Sequence, residues 1–284
     1  MPSTRDIRRR IKSVRSTAQI TKAMQMVASS KMARAQQVAV ASRPFERLAD
    51  QVVAHARAGA LDFTHPWIEE REVRKRALIV VATDKGLCGA LNTNLFREVA
   101  RYEAATTPCI AVGRKAAQYL ARSRRKLVAE FGYHDTPTFG EALAVAQCAW
   151  ELHEGAEVDE VHILYTRFVN TLSQRPDVRT LLPMGRMKTE PGAEAKPPPI
   201  EFLFEPNPER VLEGMLKYLL VFEVMQVLLE AKASEHSARM VAMKSATDNA
   251  NQLVKDLTLE YNKIRQATIT KELLEISSAQ MALG

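Results

Sequence analysis

The spacing of apolar residues in the C-terminal stretch predicts one long helix. After Gly214 there is no glycine or proline before the final residue, Gly284. The apolar seam alternates steps of three and four residues, which is a period of 3.5 and is typical of a left-handed coiled coil. The seam is Met240, Met243, Thr247, Ala250, Val254, Leu257, Tyr261, Ile264 and Thr268. A continuous helix from residue 208 onward would be about 115 Å long, so it must project from any compact domain.

The N-terminal stretch carries a matching helical pattern. From Ser3 to Arg43 there is again no glycine or proline. Ser3 is the predicted N-cap, with Asp6 in the first turn, and Pro44 is expected to kink the helix or restart it at Arg43. The apolar positions are Ile7, Ile11, Val14, Ala18, Thr21, Met24, Val27 and Met32.

Two long amphipathic helices at opposite ends of one chain can bury their apolar faces against each other. Most helical stability in proteins comes from such packing, since isolated helices are marginal in water. We therefore interpret the two ends as the strands of a two-helix coiled coil. The alternative is that each arm packs separately on a helical domain.

The middle of the chain has a different pattern, in which short apolar runs alternate with helix-like segments. This alternation predicts a parallel or mixed sheet with right-handed crossovers. The predicted strands are 77–82, 109–112, 127–131, 161–168 and 177–182, and the predicted helices are 92–105, 115–124 and 139–154. The predicted organisation is helix 1–58, α/β domain 74–187, Pro-rich linker 188–207 and helix 208–284.

Composition excludes several classes of protein. No apolar run approaches the roughly 18 residues that span a bilayer, and no secretory signal follows the N-terminus. The three cysteines, Cys88, Cys109 and Cys148, are odd in number and widely spaced. They indicate buried thiols in a reducing compartment, and neither a disulfide framework nor a metal site.

The positive charge is concentrated at the N-terminus. Of the net charge of +7, residues 1–34 carry +8, because nine basic residues there face one acid, Asp6. A solvated helix face, an acidic protein surface and nucleic acid are the possible reasons, in that order, since no DNA-binding motif accompanies the charge. The basic residues are Arg5, Arg8, Arg9, Arg10, Lys12, Arg15, Lys22, Lys31 and Arg34.

The strongest candidate for chemistry is the turn after the first predicted strand, Thr83 to Asn92. Its glycines, Gly86 and Gly89, could let the backbone approach a phosphate at a helix N-terminus. The spacing matches neither the dinucleotide fingerprint nor the P-loop. The simpler interpretation is a tight strand-to-helix turn with Asn92 or Thr93 as the cap. The six histidines are scattered, so we expect no catalytic site, no metal and no cofactor.

Several motifs nevertheless resemble one family along the whole chain, the gamma subunits of F-type ATP synthases. Ile20–Ala28 with Lys31-Met32 is similar to the N-terminal signature, and Asp84–Gly89 with Leu91-Asn92 is similar to a central one. The C-terminal matches are Ser234–His236, Ala238–Met243, Ala246–Ala250, Tyr261–Lys263, Arg265–Ala267 and Ile269–Leu273. Ala90, Ala279 and Gln280 depart from the usual residues of the family.

The resemblance implies a long antiparallel coiled coil with a small Rossmann-like α/β domain between its helices. It implies a non-catalytic rotor shaft in a proton-translocating ATP synthase, which couples ion flow through the membrane c ring to the nucleotide-binding ring of alpha and beta subunits. The implied partners are the alpha, beta, epsilon and c subunits, with delta reached through the complex. The implied location is the cytoplasmic side of the bacterial inner membrane, bound only through the complex.

The resemblance also implies residues that contact the beta subunits. Arg239, Gln266, Thr270 and Glu272 match positions that the family uses as a polar catch, and Lys22 and Met24 are expected contacts in the N-terminal arm. The competing interpretation is that these are ordinary polar residues on long helices. Two other classes remain as alternatives, a helical scaffold or DNA-associated coiled-coil protein, and a nucleotide-binding α/β enzyme with helical arms.

Overall fold

A computed structural model describes residues 4–59, 65–69, 72–184 and 208–283. Within these ranges two long helices enclose an α/β region in chain order. The elements are α1 (Thr4–Gly59), β1 (Arg76–Val81), α2 (Leu91–Val99), β2 (Cys109–Val112), α3 (Arg114–Arg122), β3 (Leu127–Phe131), α4 (Phe139–Glu154), β4 (Glu160–Phe168), β5 (Gln174–Leu182) and α5 (Pro208–Leu283).

The chain divides into two compact units, and each long helix contributes to both. One unit combines Met1–Ala28 with Arg239–Gly284, and the other is Ser29–Ala238. The first unit joins the two ends of the chain, which confirms the predicted pairing of the arms and rules out separate packing of each arm. The domain boundaries expected at residues 58, 74, 187 and 208 stay a prediction.

The seam of the helical unit is apolar, with one polar pair inside it. Thr21 and Thr247 are both buried, and their hydroxyl oxygens lie 2.7 Å apart in a hydrogen bond. Counting from this pair in opposite directions along the two helices places Ala18 opposite Ala250 and Ile11 opposite Leu257, all of which are buried or half-buried. The antiparallel register therefore brings the two predicted seams together over this stretch.

One seam residue was predicted wrongly. Val27 is 55% exposed, whereas Ala28 beside it is buried. The step from Thr21 to Ala28 is seven residues, so the 3.5-residue period continues through Ala28 and leaves Val27 outside. Thr268, at the other end of the predicted seam, is also exposed. Counting from Thr21–Thr247 places it beyond the first residue of α1, so no residue of α1 faces it.

The register makes a direct prediction about crosslinking. With Cys88, Cys109 and Cys148 replaced by serine, we expect Thr21→Cys with Thr247→Cys to form a disulfide within one chain, because the two hydroxyls already touch. The measurement is gel mobility of the oxidised monomer, with peptide mapping of the bridge. The control pairs Ile20→Cys with Thr247→Cys, since Ile20 is 58% exposed. Bridges that form only between chains would contradict the intramolecular coiled coil.

The other unit contains a mixed five-stranded sheet in the order β3-β2-β1-β4-β5. The first four strands in chain order pair in parallel, and β5 adds an antiparallel hairpin at the β4 edge. The sheet is mixed and Rossmann-like, as the alternating pattern and the family resemblance predicted. The chain leaves β1 toward β2 on one side and returns through α4 to β4 on the other, so the strand order reverses between β1 and β4.

Helices cover both faces of this sheet, which explains why β1 is an unbroken apolar run. Ala77, Ile79 and Val81 join a core with α4 and α5, while Leu78 and Val80 join a second core with α2 and α3. Side chains alternate between the faces of a strand, so a strand covered on both sides needs apolar residues at every position. The contribution of α5 to the first core consists of Leu216, Leu219, Leu220, Val221, Val224, Val227, Leu228 and Ala231.

The strands and α4 were predicted within a few residues, but α2 is shorter than expected. It ends at Val99 instead of residue 105, and Arg101, Glu103 and Ala104 are exposed. Helix propensity continues past Val99, but no further apolar side chain reaches the core to stabilise another turn. By contrast α4 has the predicted bounds, and Thr138 and Glu141 form a capping box at its start.

The predicted cap of α2 is also wrong. The helix begins at Leu91 with Ala90 at the N-cap position and no side-chain cap. The Asn92 amide instead donates to the Thr83 hydroxyl at 2.8 Å, and its oxygen accepts from the Thr83 backbone N–H at 3.4 Å. Asn92 is therefore used to tie the start of α2 to the end of β1, because a partner was available across the turn.

Three other expectations can be compared with the fold. The α1 helix runs through Pro44 without interruption, so the helix does not restart there. The three cysteines are free as expected, although Cys148 is half-buried instead of buried. The predicted cap at Ser3 and the linker 188–207 lie outside the described residues.

Candidate functional site

The last part of α5 has an exposed surface that the register with α1 explains. Counting outward from Thr21–Thr247 places the first residue of α1, Thr4, opposite Ile264. From Arg265 to Ser278 every side chain is exposed. This segment, which we call the α5 extension, therefore continues beyond the residues that α1 can cover.

Three of the predicted contact residues lie on the α5 extension. Gln266, Thr270 and Glu272 are all exposed. The Thr270 hydroxyl donates to the backbone oxygen of Gln266 at 2.9 Å, which places these two residues one above the other on one face of the helix. Glu272 is two residues further on and points to a different face. The side chains of Gln266 and Thr270 are therefore the pair that a single partner surface could contact.

The other predicted contacts lie further down the paired helices. Arg239 is half-buried at the start of the C-terminal portion of this unit. Met24 is also half-buried, and Lys22 is exposed with its ammonium group 3.4 Å from the Gln25 amide oxygen. Seen along the chain, Arg239 is thus separated by more than 25 residues from Gln266, and the six predicted residues do not form one cluster.

The basic residues of the N-terminal arm are all exposed. The Lys31 ammonium group is an exception to the expectation of an external partner, since it binds the carboxylate of Asp135 within this chain at 2.5 Å. The remaining basic side chains face solvent, as either a solvated face or a surface for an acidic partner requires.

The turn after β1 does not present an open phosphate site. Gly89 has a φ of +61°, and Leu87, at +63°, is one of the few non-glycine residues in this left-handed region. The Asp84 carboxylate accepts a hydrogen bond of 3.0 Å from the backbone N–H of Arg114, the first residue of α3. A helix N-terminus favours an anion, and here the chain supplies the anion itself. The simpler interpretation, a strand-to-helix turn, agrees with this geometry.

Two further kinds of site are absent from the described part of the chain. No group of three or more His, Cys, Asp or Glu side chains there is placed to hold a metal ion. No helix among the described residues has the length and apolar character that crossing a bilayer requires.

Sequence reasoning missed the apolar residues of the α5 extension. Leu273, Leu274 and Ile276 are each more than 60% exposed, as large apolar side chains rarely are in a cluster. A signal for them was present in the sequence, because these three residues lie outside the 3.5-residue seam that ends at Thr268. Their exposure indicates a surface that another protein covers.

Comparisons with known proteins agree over the full length of the chain. The family model described as ATP synthase matches residues 3–283. The chain is similar to the ATP synthase gamma chain of Opitutus terrae, with 48% identity over 99% of both proteins. It is also similar to the ATP synthase gamma chain of Methylacidiphilum infernorum, with 45% identity over 100% of both.

Solved structures show the same fold. A chain of the Euglena gracilis mitochondrial ATP synthase, solved with its F1 part and c-ring, matches 99% of this chain and 94% of its own length, with a TM-score of 0.71 and 23% identity. A chain of the Tetrahymena thermophila mitochondrial ATP synthase central stalk and c-ring matches 80% of this chain and 99% of its own length, with a TM-score of 0.62 and 25% identity. Together with the bacterial relatives and the family match, this shows that the chain belongs to the ATP synthase gamma chain family.

Proposed function

We propose that this chain is the non-catalytic rotor shaft of a bacterial F-type ATP synthase. In this role the paired helices of residues 4–28 and 239–283 turn inside the ring of alpha and beta subunits. The α/β domain connects them to the epsilon subunit and the c ring. The chain then lies on the cytoplasmic side of the inner membrane and is held there only by the complex.

The observation that carries this proposal is the α5 extension. It is a single helix without an α1 partner, and it exposes Leu273, Leu274 and Ile276 together with the polar pair Gln266 and Thr270. Exposed apolar patches on a helix mark a surface for another protein. A surrounding ring of subunits would cover every side of such a helix at once.

The paired helices also have the mechanical form that the role needs. A rotating shaft acts on its surroundings by population shift, so its contacts with each conformation of a beta subunit must differ in free energy. A two-helix coiled coil with a buried seam resists bending more than one helix does. Its outer faces differ in composition, since the basic residues lie on α1 and the polar pair lies on α5.

The polar pair gives the test of this function. We expect Gln266→Ala with Thr270→Ala to slow ATP hydrolysis and ATP-driven ion pumping about tenfold, because contacts present in only some rotary states contribute to turnover. Alanine keeps or raises helix propensity, so loss of the helix does not account for a defect. The measurement is both rates in the reconstituted complex, normalised to the amount assembled.

The control is a matched exposed pair on the same helix. Gln252 and Asp256 are four residues apart, and their side chains hydrogen-bond at 3.0 Å. Gln252→Ala with Asp256→Ala should leave turnover near that of the unaltered complex. Normal hydrolysis and pumping in the Gln266 and Thr270 variant would mean that these residues are not the catch.

A further inference from the structure

One segment of α5 in the α/β unit is buried around its whole circumference. The six consecutive residues from Lys232 to Ser237 are each no more than 4% exposed. Six residues exceed one helical turn of 3.6 residues, so the chain surrounds this segment on all sides. Five of the six are not apolar core residues but polar or charged ones, with Ala233 as the exception. Such a segment must find its partners around it.

The first side is formed by the turn after β1 and the loop after β3. The Lys232 ammonium group lies 3.2 Å from the Glu235 carboxylate and 3.9 Å from the Asp84 carboxylate. It also lies 3.9 Å from the centre of the Tyr133 ring, which is a cation–π geometry. The Tyr133 hydroxyl donates to the backbone oxygen of Ala82 at 3.2 Å, so the ring is itself held in place.

The second side joins the loop after β3 to α1. His236 Nε2 lies 3.3 Å from the Asp135 carboxylate, which also binds the Lys31 ammonium group. Burial raises the pKa of Asp135, but the Lys31 hydrogen bond and the charges of His236, Lys31 and Lys232 outweigh it, so the net pKa is lowered. Asp135 is therefore ionised at neutral pH and attracts both α1 and α5.

The third side is the turn between β4 and β5. The Ser237 hydroxyl donates to the backbone oxygen of Thr171 at 2.8 Å. The Gln174 side chain reaches the Ser237 hydroxyl at 3.4 Å and also donates to the Thr171 backbone oxygen at 3.0 Å. This hairpin thus contacts α5 from a different part of the sheet than Asp84 and Asp135 do.

These contacts lie where a sheet of this topology leaves a crevice. Ligands in open α/β sheets bind outside the carboxyl ends of the strands, where the strand order reverses. Here that point lies between β1 and β4, and a small pocket beside it is lined by Thr83, Asn92, Thr166 and Ala231 of α5. The chain has placed its own helix, with an ammonium group and two carboxylates, at this position.

The two kinds of contact along α5 differ in what they can fix. From Leu216 to Ala231 the helix is held by apolar packing, which is strong but not directional. From Lys232 to Ser237 it is held by ion pairs and hydrogen bonds, which depend on angle. Directional contacts from three sides determine the rotation of the helix about its own axis as well as its distance from the sheet.

We propose that Lys31, Asp84, Tyr133, Asp135 and Thr171 form a collar that locks the rotation of α5 to the α/β domain. In the collar, Lys232, Glu235, His236 and Ser237 are the positioning residues of the helix. Torque applied to the α/β domain then passes to α5 at this level. The inference rests on the proposed rotor function and adds to it the place where rotation is transferred.

The test removes the ionic part of the collar without leaving a buried charge unpaired. Lys232→Met with Glu235→Gln replaces both members of the buried pair by neutral side chains of similar size. Asp84 keeps its bond from Arg114 and is partly exposed. Two charge-assisted contacts change the ratio of locked to slipped states by about tenfold or more. We expect the ions pumped per ATP hydrolysed to fall about twofold or more under a proton gradient, with hydrolysis nearly unchanged.

The control is another lysine on the same helix. Lys217 pairs with Glu213 at 3.0 Å, but both side chains are almost half exposed. Lys217→Met should leave the pumping ratio unchanged. Ser237→Ala is a second test variant that removes one neutral contact, so it should fold and lower the ratio by a smaller factor. Thermal melting followed by tryptophan fluorescence reports folding of every variant, since both tryptophans lie in this unit.

Amide hydrogen exchange in the isolated chain supplies a readout that does not depend on the complex. We expect faster exchange at residues 232–237 in the double variant and unchanged exchange in Lys217→Met. If the unaltered chain failed to restore pumping to a complex, both the rotor function and the collar's role would be wrong. If the unaltered chain pumps and both collar variants keep its pumping ratio, the collar alone is overturned.

Discussion

Replacing Gly113 with alanine should unfold most of the α/β domain at physiological temperature. Gly113 connects β2 to α3 with a φ of +91°, and a Cβ added there would lie 2.2 Å from the backbone oxygen of Ala82. A backbone atom cannot move aside as the end of a side chain can, and the left-handed conformation adds its own strain. We expect a loss of about 4 kcal/mol or more in the free energy of unfolding, out of a total of about 5–15 kcal/mol.

The measurement is urea denaturation followed by tryptophan fluorescence. Gly140→Ala is the matched control, because Gly140 lies in the first turn of α4 and a Cβ added there would meet nothing within 4 Å. That substitution should stabilise by about 0.5–1 kcal/mol, since alanine is the better helix former. A loss below about 1 kcal/mol for Gly113→Ala would mean that β1 and the β2–α3 turn can separate without cost.

Replacing Trp67 with alanine should cost about 3–5 kcal/mol. Trp67 is completely buried, stacks on Trp150 with ring centres 5.6 Å apart, and donates from its indole N–H to Glu154 at 3.1 Å. Its backbone oxygen also accepts from the N–H of Met184. The alanine variant would leave a large cavity against α4 and remove the partner of Glu154.

Circular dichroism is the suitable measurement, because Trp67 is one of only two tryptophans. Trp67→Phe separates the two causes, since it keeps most of the ring volume and loses the indole N–H. It should cost about 1–2 kcal/mol. Leu172→Ala is the exposed control, at 82% exposure, and should change the stability by about 0.5 kcal/mol or less. Equal losses for Trp67→Ala and Leu172→Ala would contradict the observed packing of Trp67.

The register of the coiled coil illustrates how far periodicity alone reaches. The 3.5-residue spacing identified which faces of the two helices are buried, and the structure confirms this from Ile7 to Ile264 with Val27 as the error. Periodicity did not show that Thr21 meets Thr247, because sliding one helix by a heptad preserves the pattern. Register depends on which side chains meet across the seam, and each helix by itself carries no information about that.

Secondary structure in the α/β region was predictable for the same reason that its exceptions were not. Runs such as the one from Ala77 to Val81 are apolar at every position, so they indicate strands covered on both faces. The early end of α2 at Val99 and the use of Asn92 away from a cap depend on what lies across the fold. Local propensity favoured a longer helix and a conventional cap, and tertiary contacts decided otherwise.

The sequence by itself determined the two paired helices, the alternating α/β domain between them and, through its motifs, the family. These follow from patterns between residues close in the chain, where side-chain spacing and backbone preference are sufficient. Only the tertiary structure decided that α5 outruns α1 and that Lys232–Ser237 is enclosed by loops more than 60 residues away in the chain. A buried polar side chain is stable only with its partners in place, and those partners are chosen by the fold of the whole chain.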